Sequence, residues 1–184
     1  MSEFSDQELL ERFRDPSGRE KHYAFNLLVK KYQQRIYSHI RRMVIDHDDT
    51  NDLVQNTFVK IWNHLDSFRE DSQLYTWMYR IATNETLGFL KQKKKRFFLP
   101  LGDVEHELAD KLSQNTYFNA NKLEMKLQKA ILSLPEKQRI VFHLRYYDNM
   151  KYEEMSEILK TSVGALKASY HHALNKVEKF LKED

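Results

Sequence analysis

Cysteine is absent from the whole of the 184-residue chain. That excludes a disulfide framework, cysteine-ligated zinc and a thiol nucleophile, and it fits a reducing cytosol. Four glycines and three prolines are too few for the turns of an all-β fold. No apolar run approaches the length of a membrane span. The N-terminal MSEFSDQELLERF is acidic and amphipathic, where a signal peptide would be basic and then apolar. A cytoplasmic protein without membrane insertion is expected. A Gly-rich phosphate loop, HExxH and an Asp/Asn calcium loop are all missing. The eight histidines are scattered. His171 and His172 are adjacent, so on a helix they point about a hundred degrees apart and do not readily share one metal. Glu153, Glu154 and Glu157 read as the solvated face of a short helix. No catalytic group, metal or cofactor is expected.

Hydrophobic residues make up 41% of the chain and charged residues 31%, in one of two arrangements: a single ordinary domain or two small ones. The formal net charge is only +3, so affinity for nucleic acid has to come from local patches.

One such patch lies in residues 66–96. Phe68, Tyr75, Trp77 and Tyr79 crowd its first half, and Lys91, Lys93, Lys94, Lys95 and Arg96 close it. Rings that stack on bases followed by cations that pair with phosphates suit opened, single-stranded nucleic acid. From Leu74 the spacing predicts one helix, with Leu74, Met78, Ile81 and Phe89 on one side. Arg80, Asn84, Lys91 and Lys95 form a neighbouring polar stripe, and Trp77 lies at its border. Two readings stand at this point: a base-stacking indole beside a phosphate-binding stripe, or a core tryptophan and a solvated, cationic helix end.

Elsewhere the periodicity is helical throughout. Ser5 and Glu8 make a capping box for a short helix bearing Leu9, Leu10 and Phe13. A long helix is predicted over 20–45, with Phe25, Leu28, Tyr32, Ile36, Ile40 and Met43 at helical spacing, and then a polar break over 47–50. The next helix, 51–65, turns Val54, Phe58, Ile61, Trp62 and Leu65 to the core. Asp52, Gln55, Asn56, Val59 and Asn63 occupy its opposite face. That face is polar with one central valine, and it fits either a protein-docking patch or plain surface. Residues 97–121 read as an acidic linker. Beyond it, helices are predicted over 122–132, from Pro135 at a first-turn position through Tyr147, over 152–159 and from Val163 to about 181. Asp148-Asn149-Met150 is a turn, and Ser162 is the N-cap of the last helix. The final pair has the layout of a helix-turn-helix.

Several strings, in order, resemble the bacterial RNA polymerase sigma factors of the extracytoplasmic-function group. Asp52-Leu53-Val54-Gln55-Asn56-Thr57-Phe58 through Trp62 is similar to the family's D-L-V-Q-E-T-F…W polymerase-docking string. Phe68-Arg69 and Thr76-Trp77-Met78-Tyr79-Arg80-Ile81-Ala82-Thr83-Asn84 resemble its F-R…T-W-L-Y-R-I-A-x-N string, which melts and reads the minus-ten element. Leu134 through Arg139 is similar to L-P-x-x-x-R, and residues 152–167 resemble the helix-turn-helix that reads the minus-thirty-five element.

The resemblance implies an all-α chain of two small helical domains: residues 1–96 as region 2, 97–121 as the acidic linker and 122–184 as region 4. It implies a transcription initiation factor with no enzymatic activity. Its expected partners are core RNA polymerase, promoter DNA both as duplex and as non-template single strand, and an anti-sigma protein. Asp52, Gln55, Asn56, Val59 and Asn63 are then the polymerase-binding face. Phe68, Arg69, Asp71, Ser72, Trp77, Arg80 and Asn84 hold a flipped base and its strand, with Lys91, Lys94 and Lys95 on adjacent phosphates. Ser162, Val163, Gly164, Ala165, Lys167, Ser169, His171 and His172 belong to the recognition helix and its cap. Many relatives carry S-R-L-H-R-A where this chain has Ala168-Ser169-Tyr170-His171-His172-Ala173. The arginine fork to guanine is gone, which implies a weaker electrostatic grip from the second domain.

Two competing functions are a stand-alone helix-turn-helix regulator of duplex DNA and a helical protein adaptor. The regulator leaves Phe68, Trp77 and the Asp52 face without a role, and the adaptor leaves the lysine run without one. Ionic strength separates DNA binding from adaptor binding. DNA affinity is expected to fall steeply, by an order of magnitude or more, between about 50 and 200 mM salt, because each neutralised phosphate releases a counterion. Affinity for DNA that stays flat over that range in a fluorescence-anisotropy titration contradicts the nucleic-acid reading.

Overall fold

A computed structural model describes residues 4–96 and 122–183, and the side chains of all of these except 94–96 and 122. The expected acidic linker, 97–121, lies outside the described residues. Helix α1 (Asp6–Phe13) begins on the expected box: Ser5 N donates to Glu8 Oε2 at 2.7 Å, and Glu8 N donates to Ser5 Oγ at 3.2 Å. Leu9, Leu10 and Phe13 are buried on its inner face.

Helix α2 (Lys21–Val44) has 24 residues, about 36 Å of helix, and is the spine on which the first half is built. It packs against α1, against α3 (His47–His64) and against α4 (Leu74–Arg96), burying Leu28, Tyr32, Ile36, Ile40 and Met43. Residues 47–50 are not the break the sequence suggests. They form the first turn of α3, because the Asp46 carboxylate caps it, accepting from Asp48 N and Asp49 N at 3.0 Å each. Such a cap is worth about 1 kcal/mol. The chain reverses one position earlier, at Ile45, whose φ of 65° is the left-handed region and whose side chain is fully buried. Left-handed geometry costs a β-branched residue roughly 1–2 kcal/mol, which the burial offsets.

Of the predicted core face of α3, Phe58, Ile61 and Leu65 are buried, while Val54 and Trp62 are half-buried. Trp62 meets Phe13 edge-on at 5.2 Å and Phe25 at 4.9 Å, so its ring closes an aromatic corner between α1, α2 and α3.

In the second half, α5 (Lys122–Leu132) and α6 (Glu136–Phe142) are followed by a π-helical turn (His143–Tyr147) and then by α7 (Tyr152–Leu159) and α8 (Val163–Lys182). Pro135 sits one position before its expected place, as the N-cap of α6, and α6 starts at Glu136. Ser162 caps α8 as expected, accepting from Ala165 N at 3.3 Å. Ala130, Ile131, Leu134, Phe142, Ala173 and Val177 form this half's own core.

The two halves also share a core. Ile140, Val141, Leu144, Met150, Met155, Ile158 and Leu166 are continuous with the buried face of α2 and α4, and α7 packs directly on α4. At this junction lies a polar cluster. The Asp148 side chain, only 6% exposed, accepts from Arg42 Nη2 at 2.9 Å and meets His39 Nδ1 at 3.1 Å. Tyr79 Oη reaches the same carboxylate at 3.4 Å, and His39 Nε2 meets Thr83 Oγ1 at 3.0 Å. A carboxylate stripped of water costs several kcal/mol unless it is both paired and hydrogen-bonded, and here it is both.

His143 lies beside this cluster, wholly buried, with no hydrogen-bond partner for either ring nitrogen among the described residues. Burial pushes its pKa well below the ordinary imidazole value, helped by the charges of Arg42, His39 and Arg139. The folded chain therefore holds His143 neutral, while the unfolded chain takes up a proton below about pH 6.5. Its contribution is intact above that pH and is lost as pH falls, with a slope of up to about 1.4 kcal/mol per pH unit. Urea unfolding of the chain and of His143→Leu at pH 7.0 and pH 5.5 is expected to show a smaller loss of stability on acidification in the variant. Equal losses in the two proteins contradict this.

Candidate nucleic-acid interface

Three surfaces take up the residues singled out in the sequence. The first is the outer face of α3. Asp52, Gln55, Asn56, Val59 and Asn63 are all exposed, and the Val59 side chain stands out at 52%. They fall together because α3 turns Leu53, Thr57, Phe58 and Ile61 inward at helical spacing. Asp52 is exposed and forms no ion pair among the described residues.

The second surface is a recess of about 570 Å³ at the start of α4. Ser67, Phe68, Arg69, Asp71, Ser72, Trp77 and Arg80 line it. A short 3₁₀ turn, Leu65–Ser67, delivers the chain to this loop, and Arg14 holds the loop in place. The Arg14 guanidinium donates to the Phe68 carbonyl and pairs with Glu70 Oε1 at 2.5 Å, so the end of α1 fixes the recess from behind. Glu70 adopts φ 59°, which turns the loop back toward α4.

Phe68 is buried at 7% exposure and leans on the half-buried Trp77, ring centroids 5.0 Å apart. The two readings of Trp77 therefore meet in one residue: it packs against Phe68 and also lines the recess. Arg69 and Asp71 are exposed, and Arg80 is half-buried at the recess wall. Asn84 and Lys91 continue the stripe along α4 in solvent. Lys93 is turned inward, its ammonium 3.0 Å from Asp49 Oδ2. The side chains of Lys94 and Lys95 lie outside the described residues. An aromatic wall, a guanidinium and short polar side chains around one opening suit an unstacked base with its flanking phosphates.

The third surface is the outer side of α7 and α8. Ser162, Gly164, Ala165, Lys167, His171 and His172 are exposed, and Val163 and Ser169 are half-buried. Lys167 Nζ lies over the Tyr152 ring at 5.7 Å, and His171 Nε2 meets Asn175 Nδ2 at 3.1 Å. A Cβ on Gly164 would meet nothing within 4 Å among the described residues, so no packing there demands a glycine. The N-terminal turn of α8 thus offers small exposed residues and a lysine to solvent.

Sequence reasoning missed two things. Glu157 and Lys160, read as part of a solvated helix and its connection, form the far wall of the Phe68–Trp77 recess. Asp148, read as part of a turn, is the buried acceptor that joins the halves. Both arise from contacts across more than 60 residues of sequence, and no local periodicity signals them.

The family model for Sigma-70 region 2 matches residues 28–96, and that for Sigma-70 region 4 matches residues 124–177. The RNA polymerase sigma-H factor of Pseudomonas aeruginosa is 31% identical over 98% of this chain and 96% of its own. The ECF RNA polymerase sigma-E factor of Escherichia coli K12 is 34% identical over 97% of this chain and 95% of its own. Among solved structures, CnrH in complex with the cytosolic domain of CnrY superposes with a TM-score of 0.71 at 24% identity, covering 97% of this chain and 98% of that one. The sigma factor RpoE of Bartonella quintana, in complex with the anti-sigma factor NepR, gives 0.68 at 21% identity over 87% of this chain and 98% of that one.

Proposed function

The chain belongs to the sigma-70 family of bacterial RNA polymerase sigma factors, in its extracytoplasmic-function group, and we propose how its surfaces divide the work of initiation. It is a transcription initiation factor: it binds core RNA polymerase, directs it to promoters and promotes melting. Residues 1–96 act as region 2, 97–121 as the connecting linker and 122–184 as region 4. The chain acts as a specificity subunit with no catalysis of its own, in the cytoplasm. No described helix is long and apolar enough to cross a membrane.

The α3 face, with Asp52 among Gln55, Asn56, Val59 and Asn63, docks on the polymerase. The recess at Phe68 and Trp77 takes a base extruded from the non-template strand. The contacts it offers offset the few kcal/mol of stacking and pairing lost on extrusion, and strand separation is favoured to that extent. Arg80, Asn84, Lys91, Lys94 and Lys95 hold phosphates along α4, which sets register without reading sequence. The first turn of α8, with Ser162, Val163, Gly164, Ala165 and Lys167, meets base edges of the upstream element. Ser169, His171 and His172 extend that contact, and without arginines they supply a weaker grip.

An anti-sigma protein is a further proposed partner, as both solved relatives named above are complexes with one or with a cytosolic domain. The observation that carries the reading is the recess itself. It brings an aromatic pair, a guanidinium and small polar groups together at the head of a basic helix, which a regulator of closed duplex does not need.

Reconstituted transcription tests it. The purified chain added to sigma-free core polymerase with genomic promoter fragments is expected to yield promoter-specific transcripts. Asp52→Arg is expected to lose them together with polymerase association, while retaining the helicity of the parent. Trp77→Ala is expected to impair opening, read by permanganate footprinting, more than closed-complex binding. Absence of both transcript and stable complex with a cognate core returns the assignment to a free-standing regulator.

A further inference from the structure

Helix α1 belongs to no surface assigned above, and the region 2 family model begins beyond it, at residue 28. The N-terminal segment nevertheless grips the base recess at two points. Arg14, the C-cap of α1, is fixed by its own backbone, which donates to Leu10 O at 3.0 Å. From there its guanidinium crosses to the recess loop, where Nη2 donates to the Phe68 carbonyl and Nη1 to Glu70 Oε1. Lys21, at the start of α2, pairs with Asp66 Oδ2 at 2.6 Å and lies over the rings of Phe13 at 4.6 Å and Trp62 at 5.7 Å. Two cations that precede the region 2 match thus pin the turn leading to the recess and the loop that lines it.

The Arg14 bridge spans the part of the loop that has the least hold of its own. Phe68 is the ring that leans on Trp77, and Arg69 lines the recess between the two bridged residues. Glu70 is left-handed at φ 59°, a conformation that a residue other than glycine keeps only where its surroundings impose it. Among the described residues, the backbone bonds of this stretch sit at its ends, Phe68 N to Leu65 O at 3.3 Å and Trp77 N to Gln73 O at 3.1 Å. Arg14 supplies the hold between them. A planar guanidinium reaches two acceptors at once, which a lysine ammonium does less well.

We propose that Arg14 is a positioning residue for base capture: through the Phe68 carbonyl and Glu70 it sets the loop that presents Arg69 and seats Phe68 on Trp77, with α1 as its support. Arg14 does not touch the base. The inference rests on the assignment of the recess to an extruded base. A loop already in its ligand-ready shape loses less entropy on capture, so the effect falls on strand opening. Polymerase docking is assigned to the α3 face and closed-duplex contact to α8, and Arg14 is part of neither.

The test uses the full chain in holoenzyme with core polymerase, on a promoter fragment that the unsubstituted protein transcribes. Arg14→Gln removes the bridge, Glu70→Gln weakens it from the loop side, and Arg14→Lys keeps the charge without the fork. Each is checked for native helicity, and Arg14→Lys carries the comparison if Arg14→Gln loses it. Arg14→Gln is expected to shift the closed-to-open equilibrium, read by permanganate reactivity, about tenfold toward closed, as suits loss of a charge-assisted hydrogen bond. Its affinities for core polymerase and for duplex in the closed complex are expected to stay within about twofold of the parent, and the other two variants to open to intermediate extents. A merely structural role would lower all three readouts together. Combined with Trp77→Ala, Arg14→Gln is expected to add about twofold or less to the opening defect, because both act on one recess.

Opening unchanged in the folded variants, equal losses in all three readouts, or a further full tenfold in the double variant overturns the positioning role. A parent that transcribes while its variants open normally refutes this role alone. A parent that transcribes no fragment refutes the assigned function, and the inference falls with it.

Discussion

The Asp148 carboxylate is buried between two helical units that each have apolar residues of their own to bury, and the arrangement of the chain turns on how that charge is satisfied. A lone carboxylate at this depth would be neutralised or would force the halves apart. Arg42 and His39 on α2 and Tyr79 on α4 meet it from three directions. Apolar packing of Met155 and Ile158 against the first half is non-directional and would tolerate several placements of α7. A carboxylate that needs three donors is satisfied in one. The geometry of the cluster thus suits it to fixing orientation, a role buried polar groups fill in some folds.

The recess depends on a second constraint, the fixing of a loop by residues far from it in sequence. Arg14, just past the end of α1, takes up the carbonyl of Phe68 and the carboxylate of Glu70. Phe68 is thereby seated against Trp77 before any ligand arrives. A pocket whose walls are already ordered loses less entropy on capturing a base than a loop that must first be organised. The polar stripe of α4 proposed to meet phosphates runs from Arg80 through Asn84 to Lys91, while Lys93 forms the ion pair to Asp49 that ties α4 to the start of α3. One helix thus carries exposed cations and an ion-paired one at different angular positions.

Much of this was legible in the sequence, and the reason is helical periodicity. The cap at Ser5, the inward faces of α2 and α3, the exposed set at Asp52, Gln55, Asn56, Val59 and Asn63, and the N-cap at Ser162 all follow from spacing of 3.6 residues and from short polar side chains. The start of α3 was misread because four polar residues at 47–50 resemble a loop; the Asp46 carboxylate converts them into a first turn. The dual position of Trp77 was visible as an ambiguity, and burial on one edge with exposure to the recess on the other explains why composition could not resolve it. Glu157, Lys160 and Asp148 were illegible for a different reason. Their roles come from the placement of one half on the other, and a buried long-range ion pair leaves no trace in local pattern.

The central claim, that the outer face of α3 docks on the polymerase and the Phe68–Trp77 recess takes an unstacked base, is tested most directly by amide hydrogen exchange resolved to peptides. The account predicts that residues 52–63 gain protection once core polymerase is added, and that residues 68–80 gain it when a single-stranded promoter fragment follows. Exchange unchanged in both segments after both additions would contradict it.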